Sequence, residues 1–387
     1  MIFLPDFIKN YLNSGINHIH SFLKKEKLPD MKRQFIALLF ISLPVLIFAQ
    51  KRTIAIDKAQ TIVQKTSNDN LFPGVAVSVA KKGKLVWSEG FGYANIAAKE
   101  PINPAQSLFR IGSISKPLTA AAMIKLVEAN KIDLDAPIQT YVPEFPEKKH
   151  PISLRQLAGH LAGIRHYRGI EFMSQKKYET VGEGLDIFKD DPLINEPGTQ
   201  YSYSSYGWNL ISAAIENAAK EDFLSFMQTA VFDPLQLSNT YPDHADREQA
   251  NRVHFYLVNN NEIQEAPYVD NSYKWAGGGF LSTSEDLIRF AHGHIYGDYL
   301  AEGSLEMLTT SQKTKAGKSI NYGLGWRSGE DKKGRKWFGH SGGSVGGTSY
   351  LLIFPEEELV VVTLVNLSSA RLNNLPFRIA EQFLSNP

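Results

Sequence analysis

The 387-residue chain contains no cysteine. That absence excludes a thiol nucleophile, a cysteine-ligated zinc, an iron–sulfur cluster, a disulfide framework and a lipid anchor on an N-terminal cysteine. Any covalent catalysis must therefore run through oxygen or nitrogen. A charge excess is missing too: 41 basic residues face 40 acidic ones, without the basic surplus of a nucleic-acid binder. The densest basic run, Lys332 to Lys336, follows Glu330 and Asp331 and reads as a solvated hairpin tip. Long apolar runs are also nearly lacking. The exception, Phe35 to Phe48, is shorter than the ~20 residues that cross a bilayer.

That apolar stretch follows Met31-Lys32-Arg33 and ends before Ala49-Gln50, the pattern of a secretory signal peptide over 31–49. Ile47 is larger than the small residue expected near such a cut. Met31 then reads as the initiator and residues 1–30 as an over-extended N-terminus. Those residues carry no arginine but do carry Asp6, Glu26 and Asp30, which argues against a mitochondrial transit peptide. Removal through Ala49 takes six basic and three acidic residues and leaves 35 against 37. The expectation is an exported protein, periplasmic or extracellular, with no stable membrane span after cleavage.

What remains is large enough for a substantial core. Thr53 to Thr66 has helical spacing. Val75 to Val79 and Leu85 to Trp87 flank Lys82-Gly83-Lys84, which predicts a two-stranded hairpin. Leu118 to Val127 is apolar on most sides and predicts a buried helix. Helices are expected over Gly207 to Lys220, Asp222 to Phe232 and Asn374 to Ser385. Another opens on a Ser282/Glu285 capping box and ends near His294. Strands are expected over Tyr322–Trp326, Lys336–Gly339, Ser349–Phe354 and Leu359–Val365. Strands at both ends bracketing a helical middle predict an α+β fold: an antiparallel sheet flanked by helices (53–129 and 270–387) with an inserted all-helical domain (130–269).

Several chemical patterns fail on context. Gly317-Lys318-Ser319 ends like a phosphate loop, but Gln312 stands where its first glycine belongs. His292-Gly293-His294 lacks a further ligand at useful spacing, so no metal is implied. Gly342-Gly343-Ser344-Val345-Gly346 has the spacing of a nucleophile elbow, yet no histidine follows His340 and a strand, not a helix, comes next. Four S-x-x-K matches occur: Ser21/Lys24, Ser78/Lys81, Ser113/Lys116 and Ser174/Lys177. On a strand, an odd offset sends Ser78 and Lys81 to opposite faces. Ser21 lies before the leader's cut, and Ser174 sits in a polar stretch. Only Ser113 stands where an extended segment meets an apolar helix, so that Lys116 shares its face and helix N–H groups favour developing negative charge.

Two further segments carry the argument: Tyr203-Ser204-Ser205, before a helix, and His340-Ser341-Gly342-Gly343, at a strand end. Taken singly, Tyr203 reads as a packed aromatic, His340 as a core histidine and Gly343 as a turn residue. Together with Ser113-Ile114-Ser115-Lys116, in this order, they resemble the S-x-x-K, Y-x-N and K/H-x-G motifs of the serine beta-lactamase and penicillin-recognising superfamily. The likeness is to its class C and D-Ala-D-Ala carboxypeptidase branch and runs from about Asp57 to Leu384. Phe109–Gly112, Leu157–Ile164, Gly278–Thr283 and Tyr322–Trp326 support it.

The resemblance implies the beta-lactamase/transpeptidase-like fold and an acyl-enzyme mechanism without cofactor or metal. Ser113 is then the nucleophile, and Lys116 and Tyr203 handle its proton. The N–H groups of Ser113 and Gly343 form the oxyanion hole, and His340 orients Tyr203 or a substrate carboxylate. Ser205, Ser341 and Gly342 bind substrate, with Ser205 also placed to bond Lys116. Two departures, Ser205 in place of the asparagine and His340 in place of lysine, lean with Arg165-His166-Tyr167 toward beta-lactamase-like peptidases and esterases, including the mitochondrial type. The implied partner is a small-molecule or peptide substrate. Turnover of a peptide, amide or ester is the main reading. An acylated, non-turnover sensor of peptidoglycan peptides or beta-lactams is the alternative.

Overall fold

A computed structural model of the chain describes residues 53–384. The expected signal peptide and the residues before it lie outside the described residues. Residues Ala59–Ser385 form one compact unit.

The principal sheet has seven strands: β1 (Gly74–Lys81), β2 (Lys84–Asn95), β3 (Glu100–Pro101), β9 (Arg327–Glu330), β10 (Lys336–Ser344), β11 (Gly347–Phe354) and β12 (Leu359–Val365). Their order is β3-β2-β1-β12-β11-β10-β9, with every neighbouring pair antiparallel. Strands from both ends of the chain thus meet at β1–β12. Short strands β4 (Phe109–Arg110), β5 (Tyr241–Pro242) and β8 (Phe280–Ser282) form a second sheet, and β6 (Tyr256–Asn259) with β7 (Glu262–Glu265) a hairpin. The β1–β2 turn holds both Lys82 and Gly83 at positive φ, +52° and +71°. That is the geometry a two-residue hairpin demands.

The central strands are apolar on both faces because helices cover both. In β1 the two sets of side chains part as period-two geometry requires. Ser78 donates to Ser284 Oγ (2.8 Å) at the start of one helix, whereas Lys81 donates to the Phe383 carbonyl (2.5 Å) in another. This disposes of the Ser78/Lys81 pair as a catalytic dyad. The helices are α1 (53–69), α2 (Ser115–Glu128), α3 (Leu154–Ala158), α4 (Val181–Leu185), α5 (Tyr206–Ala219), α6 (Phe223–Met227), α7 (Trp275–Gly278), α8 (Ser284–Ile295), α9 (Ser304–Thr309) and α10 (Leu375–Leu384). Helix α2 is buried along almost its whole length, packed by α5 and α7.

Three expected elements differ. Helix α8 is capped by Thr283, whose side chain accepts from the Asp286 N–H, while Ser282 stays in β8 with its hydroxyl on Thr240. The helix expected over Asp222–Phe232 ends at Met227 and widens into a π turn over Gln228–Phe232. Tyr322–Trp326 is a wound loop: the Leu324 N–H bonds the Leu308 carbonyl, the Gly323 N–H bonds Trp326, and the Tyr322 carbonyl accepts from Gln312. With its backbone groups satisfied this way, the strand starts only at Arg327.

Candidate active site

The chain leaves β4 at Arg110 and turns through Gly112–Ile114, a 3-10 turn that carries Ser113 into α2. Gly112 has φ +49°, and a Cβ there would lie 2.6 Å from the Gly343 carbonyl oxygen. Glycine therefore does two things at this position: it permits a left-handed backbone and lets β10 lie against the nucleophile turn. Gly342 packs on the same turn, with its Cα against the Ile111 carbonyl and Ser349. The Ser349 hydroxyl donates to that carbonyl at 2.7 Å.

Ser113 is half-buried, and Lys116, one turn further on, is fully buried. Lys116 Nζ lies 3.0 Å from Ser113 Oγ, 3.1 Å from Ser205 Oγ and 2.6 Å from the Gly277 carbonyl. Tyr203 approaches the same serine from the other side and donates its hydroxyl to Ser113 Oγ at 2.9 Å. Burial, with the charges of Lys274 and Arg327 adding to it, holds the Lys116 ammonium well below the usual lysine range. Burial also pushes the Tyr203 phenol up to about 12, opposed by its bond to Ser113 and by Arg327. Both shifts favour the uncharged form, an amine with a lone pair and a phenol with a proton.

A shell of rings surrounds this trio. His340 Nδ1 donates to the Ser341 carbonyl (2.6 Å), so Nε2 carries the lone pair that accepts from the Tyr322 hydroxyl (2.8 Å). Burial, with Lys116 and Arg327 nearby, keeps this imidazole neutral. His160 accepts from the Ser204 N–H and His166 from the Ser205 N–H, each through Nδ1 at 3.1 Å. The His160 ring lies 4.2 Å from Tyr203 and 4.7 Å from Tyr322. The Arg327 guanidinium sits over the Tyr203 and Tyr322 rings at 5.8 and 5.7 Å, and its Nε is buried with no hydrogen-bond partner among the described residues.

The structure thus brings together Ser113, Lys116, Tyr203 and Ser205, and sets Gly343 beside them. His340 lies within ring contact of Tyr203, with centroids 6.5 Å apart. Along β10, residues 338, 340, 342 and 344 are buried while Ser341 is half-buried and Gly343 exposed. His340 and Gly342 are therefore on the buried face of β10, where His340 hydrogen-bonds Tyr322 and Ser341 beside its ring contact with Tyr203. The close backbone packing on the Ser113 turn falls to Gly112 and Gly342, while a Cβ at Gly343 would meet nothing within 4 Å. Ser344 is buried, as its rejection as a nucleophile anticipates. Sequence reasoning assigned no role to Tyr322, Arg327 or Lys274. The alternation of small and large residues in β10 could have oriented His340, but nothing local marks Arg327.

Comparison with known proteins agrees with this geometry. A family profile described as Beta-lactamase matches residues 59–382. Human serine beta-lactamase-like protein LACTB, mitochondrial, is 31% identical over 85% of this chain and 80% of its own length. Penicillin-binding protein 4* of Bacillus subtilis is 26% identical, over 79% and 71% respectively. The octameric penicillin-binding protein homologue from Pyrococcus abyssi superposes with a TM-score of 0.75 at 25% identity, covering 85% of this chain and 77% of that one. With a family match across nearly all of the compact unit and a serine, a lysine and a tyrosine joined at one oxygen, the chain belongs to the beta-lactamase family.

Proposed function

We propose that the protein is a serine hydrolase that works through an acyl-enzyme on Ser113. The observation that carries this reading is a single atom: Ser113 Oγ lies within hydrogen-bond reach of both Lys116 Nζ and the Tyr203 hydroxyl. A neutral, buried amine can accept the serine proton as Oγ bonds to the substrate carbonyl carbon. The carbonyl electron pair moves onto its oxygen, which the N–H groups of Ser113 and Gly343 receive. Collapse of that intermediate expels the leaving group, which takes the Tyr203 proton. The phenolate left behind faces the Lys116 ammonium and Arg327, and draws a proton from the water that hydrolyses the ester. Ser113 recovers its proton from Lys116. Ser205 and the Gly277 carbonyl keep the lysine aimed, and His340 supports the site through Tyr322.

The substrate class is a peptide, amide or ester with a carboxylate near the scissile bond. Arg327 supports this: it is a half-buried cation at the ring wall with no carboxylate within ion-pair distance among the described residues. Replacing Ser113 by alanine should abolish hydrolysis of a p-nitrophenyl ester and labelling by a fluorophosphonate. An adduct mapped to another residue, or undiminished hydrolysis, refutes the assignment. Export after removal of 31–49 and the division of the chain into a sheet domain and an inserted domain over 130–269 belong to the same proposal. Among the described residues no helix is long and apolar enough to cross a membrane.

A further inference from the structure

A second buried lysine stands behind the first. Lys274 ends the short turn Ser272–Lys274 that leads into α7, three residues before the Gly277 carbonyl that receives Lys116 Nζ. It is only 2% exposed, yet no carboxylate among the described residues lies within ion-pair distance of its ammonium. Instead its Nζ is ringed by aromatic faces: Phe172 at 4.3 Å, Tyr273 at 5.1 Å and Tyr167 at 5.7 Å. The cage is built, not incidental. The Tyr273 hydroxyl donates to the Glu171 carbonyl (2.9 Å), and Glu171 is held by Arg165, the Tyr206 hydroxyl and the Arg168 N–H. The Asn209 amide donates to the Tyr273 carbonyl and fixes the cage to α5.

A lysine that serves only to fill space is a poor choice here. Its ammonium loses water and gains only ring quadrupoles, where a methionine would pack without desolvating a charge. Its surroundings point to a use. Tyr167 stacks on His166, whose Nδ1 takes the Ser205 N–H, and Ser205 takes Lys116. The cage wall is thus three contacts from the Lys116 amine, and the turn that carries Lys274 leads directly to the carbonyl that aims it.

We propose that Lys274 is a positioning residue of the active site, a caged cation whose charge keeps Lys116 in its neutral, proton-accepting form. This rests on the reading of Ser113 and Lys116 as nucleophile and base. The groups that bear on the pair are few. Lys116 feels Lys274 and Arg327, with Tyr203, His160, His166 and His340 as its neutral neighbours. Lys274 feels Arg110 and, at longer range, Asp243, whose carboxylate is already taken by Arg110, Arg252 and Asn271. Burial lowers Lys274 itself to about 7. Its charge is therefore fullest below neutrality, where Lys116 most needs help to stay unprotonated.

The test is the pH dependence of Ser113 acylation by p-nitrophenyl acetate in the full-length protein, for wild type, Lys274→Met, Lys274→Arg and Phe172→Leu. Loss of the charge should move the acidic limb of the acylation rate to higher pH by about one unit, a loss of about tenfold at pH 6. Lys274→Arg should restore the limb, and Phe172→Leu, which weakens the cage without touching the lysine, should move it the same way by less. An acidic limb that stays put in folded Lys274→Met, or in folded Phe172→Leu should Lys274→Met not fold, overturns the inference and leaves the serine mechanism standing. Wild-type protein that is never acylated at Ser113 overturns both.

Discussion

Gly112→Ala puts the construction of the nucleophile turn to a direct test. Two costs add at this residue. An alanine held at φ +49° costs ~1–2 kcal/mol relative to glycine. Its Cβ would also lie 2.6 Å from the Gly343 carbonyl oxygen and 2.8 Å from the Gly343 nitrogen, both backbone atoms that no rotamer change can move. Pushing β10 off the turn adds ~1–3 kcal/mol. The expected loss is about 3 kcal/mol, a fall in Tm of roughly 4 °C for a folded unit of this size. Because the displaced strand carries Gly343 and the displaced turn carries Ser113, their separation grows by a few tenths of an ångström or more. Misplacement approaching ~1 Å costs ~100-fold in rate. Thermal melting and p-nitrophenyl ester hydrolysis read the two effects. Gly343→Ala is the internal control for stability: nothing lies within 4 Å of its new methyl, so Tm should stay within about 1 °C of wild type. If Gly112→Ala melts and reacts like wild type, the turn is not what holds β10 to the serine. If Gly343→Ala falls as far, the contrast between the two glycines is wrong.

Three further outcomes follow from other atoms. Arg327→Met should slow hydrolysis of an ester bearing a carboxylate by ~10–100-fold more than that of a neutral ester, whose smaller loss reflects only the charge withdrawn from Lys116, and equal losses on both refute the anchor. Lys116 has its folded pKa lowered, so the folded state binds fewer protons than the unfolded one between that value and 10.5. Stability measured by urea melts should therefore shift in favour of wild type over Lys116→Met as pH rises through this window, by up to ~1.4 kcal/mol per unit, and a parallel pair of curves contradicts the burial. His340→Lys should lower stability by ~2–4 kcal/mol without raising cephalosporin hydrolysis, because an ammonium cannot accept from the Tyr322 hydroxyl and sits near Lys116 and Arg327; unchanged Tm refutes this.

The reach of sequence reasoning followed the periodicities available to it. Ser113 and Lys116 were legible because a helix places residues three apart on one face, and the apolar run of α2 announces the helix. The hairpin at Lys82-Gly83 was legible because two residues at positive φ have few spellings. Tyr203 was legible only by its order among the motifs, since a loop has no period to aim a side chain. His340 beside Tyr203 was legible from the motif, but its hydrogen bonds to Tyr322 and Ser341 were not, since the partner Tyr322 comes from a loop with no period. Arg327 and Lys274 left no local trace. Each owes its position to a tertiary neighbour, Arg327 to the rings of Tyr203 and Tyr322, Lys274 to those of Phe172 and Tyr167.

The acid–base logic of the site depends on what it excludes. Desolvation lowers an amine and raises a phenol, so a single cause favours the uncharged forms that the proposed roles of Lys116 as base and Tyr203 as proton donor require. A carboxylate beside Lys116 would undo half of that arrangement by stabilising the ammonium. The groups that bear on Lys116 are accordingly cations, Lys274 and Arg327, and the nearby imidazoles of His160, His166 and His340 are all held neutral. The buried acid that acts on Lys274, Asp243, is already paired with Arg110 and Arg252. The carboxylate missing from the protein is the one the substrate is expected to bring. Its arrival at Arg327 would offset one of the two cations that lower Lys116. That leaves Lys274, out of reach inside its aromatic cage, as the charge that stays in place while substrate is bound.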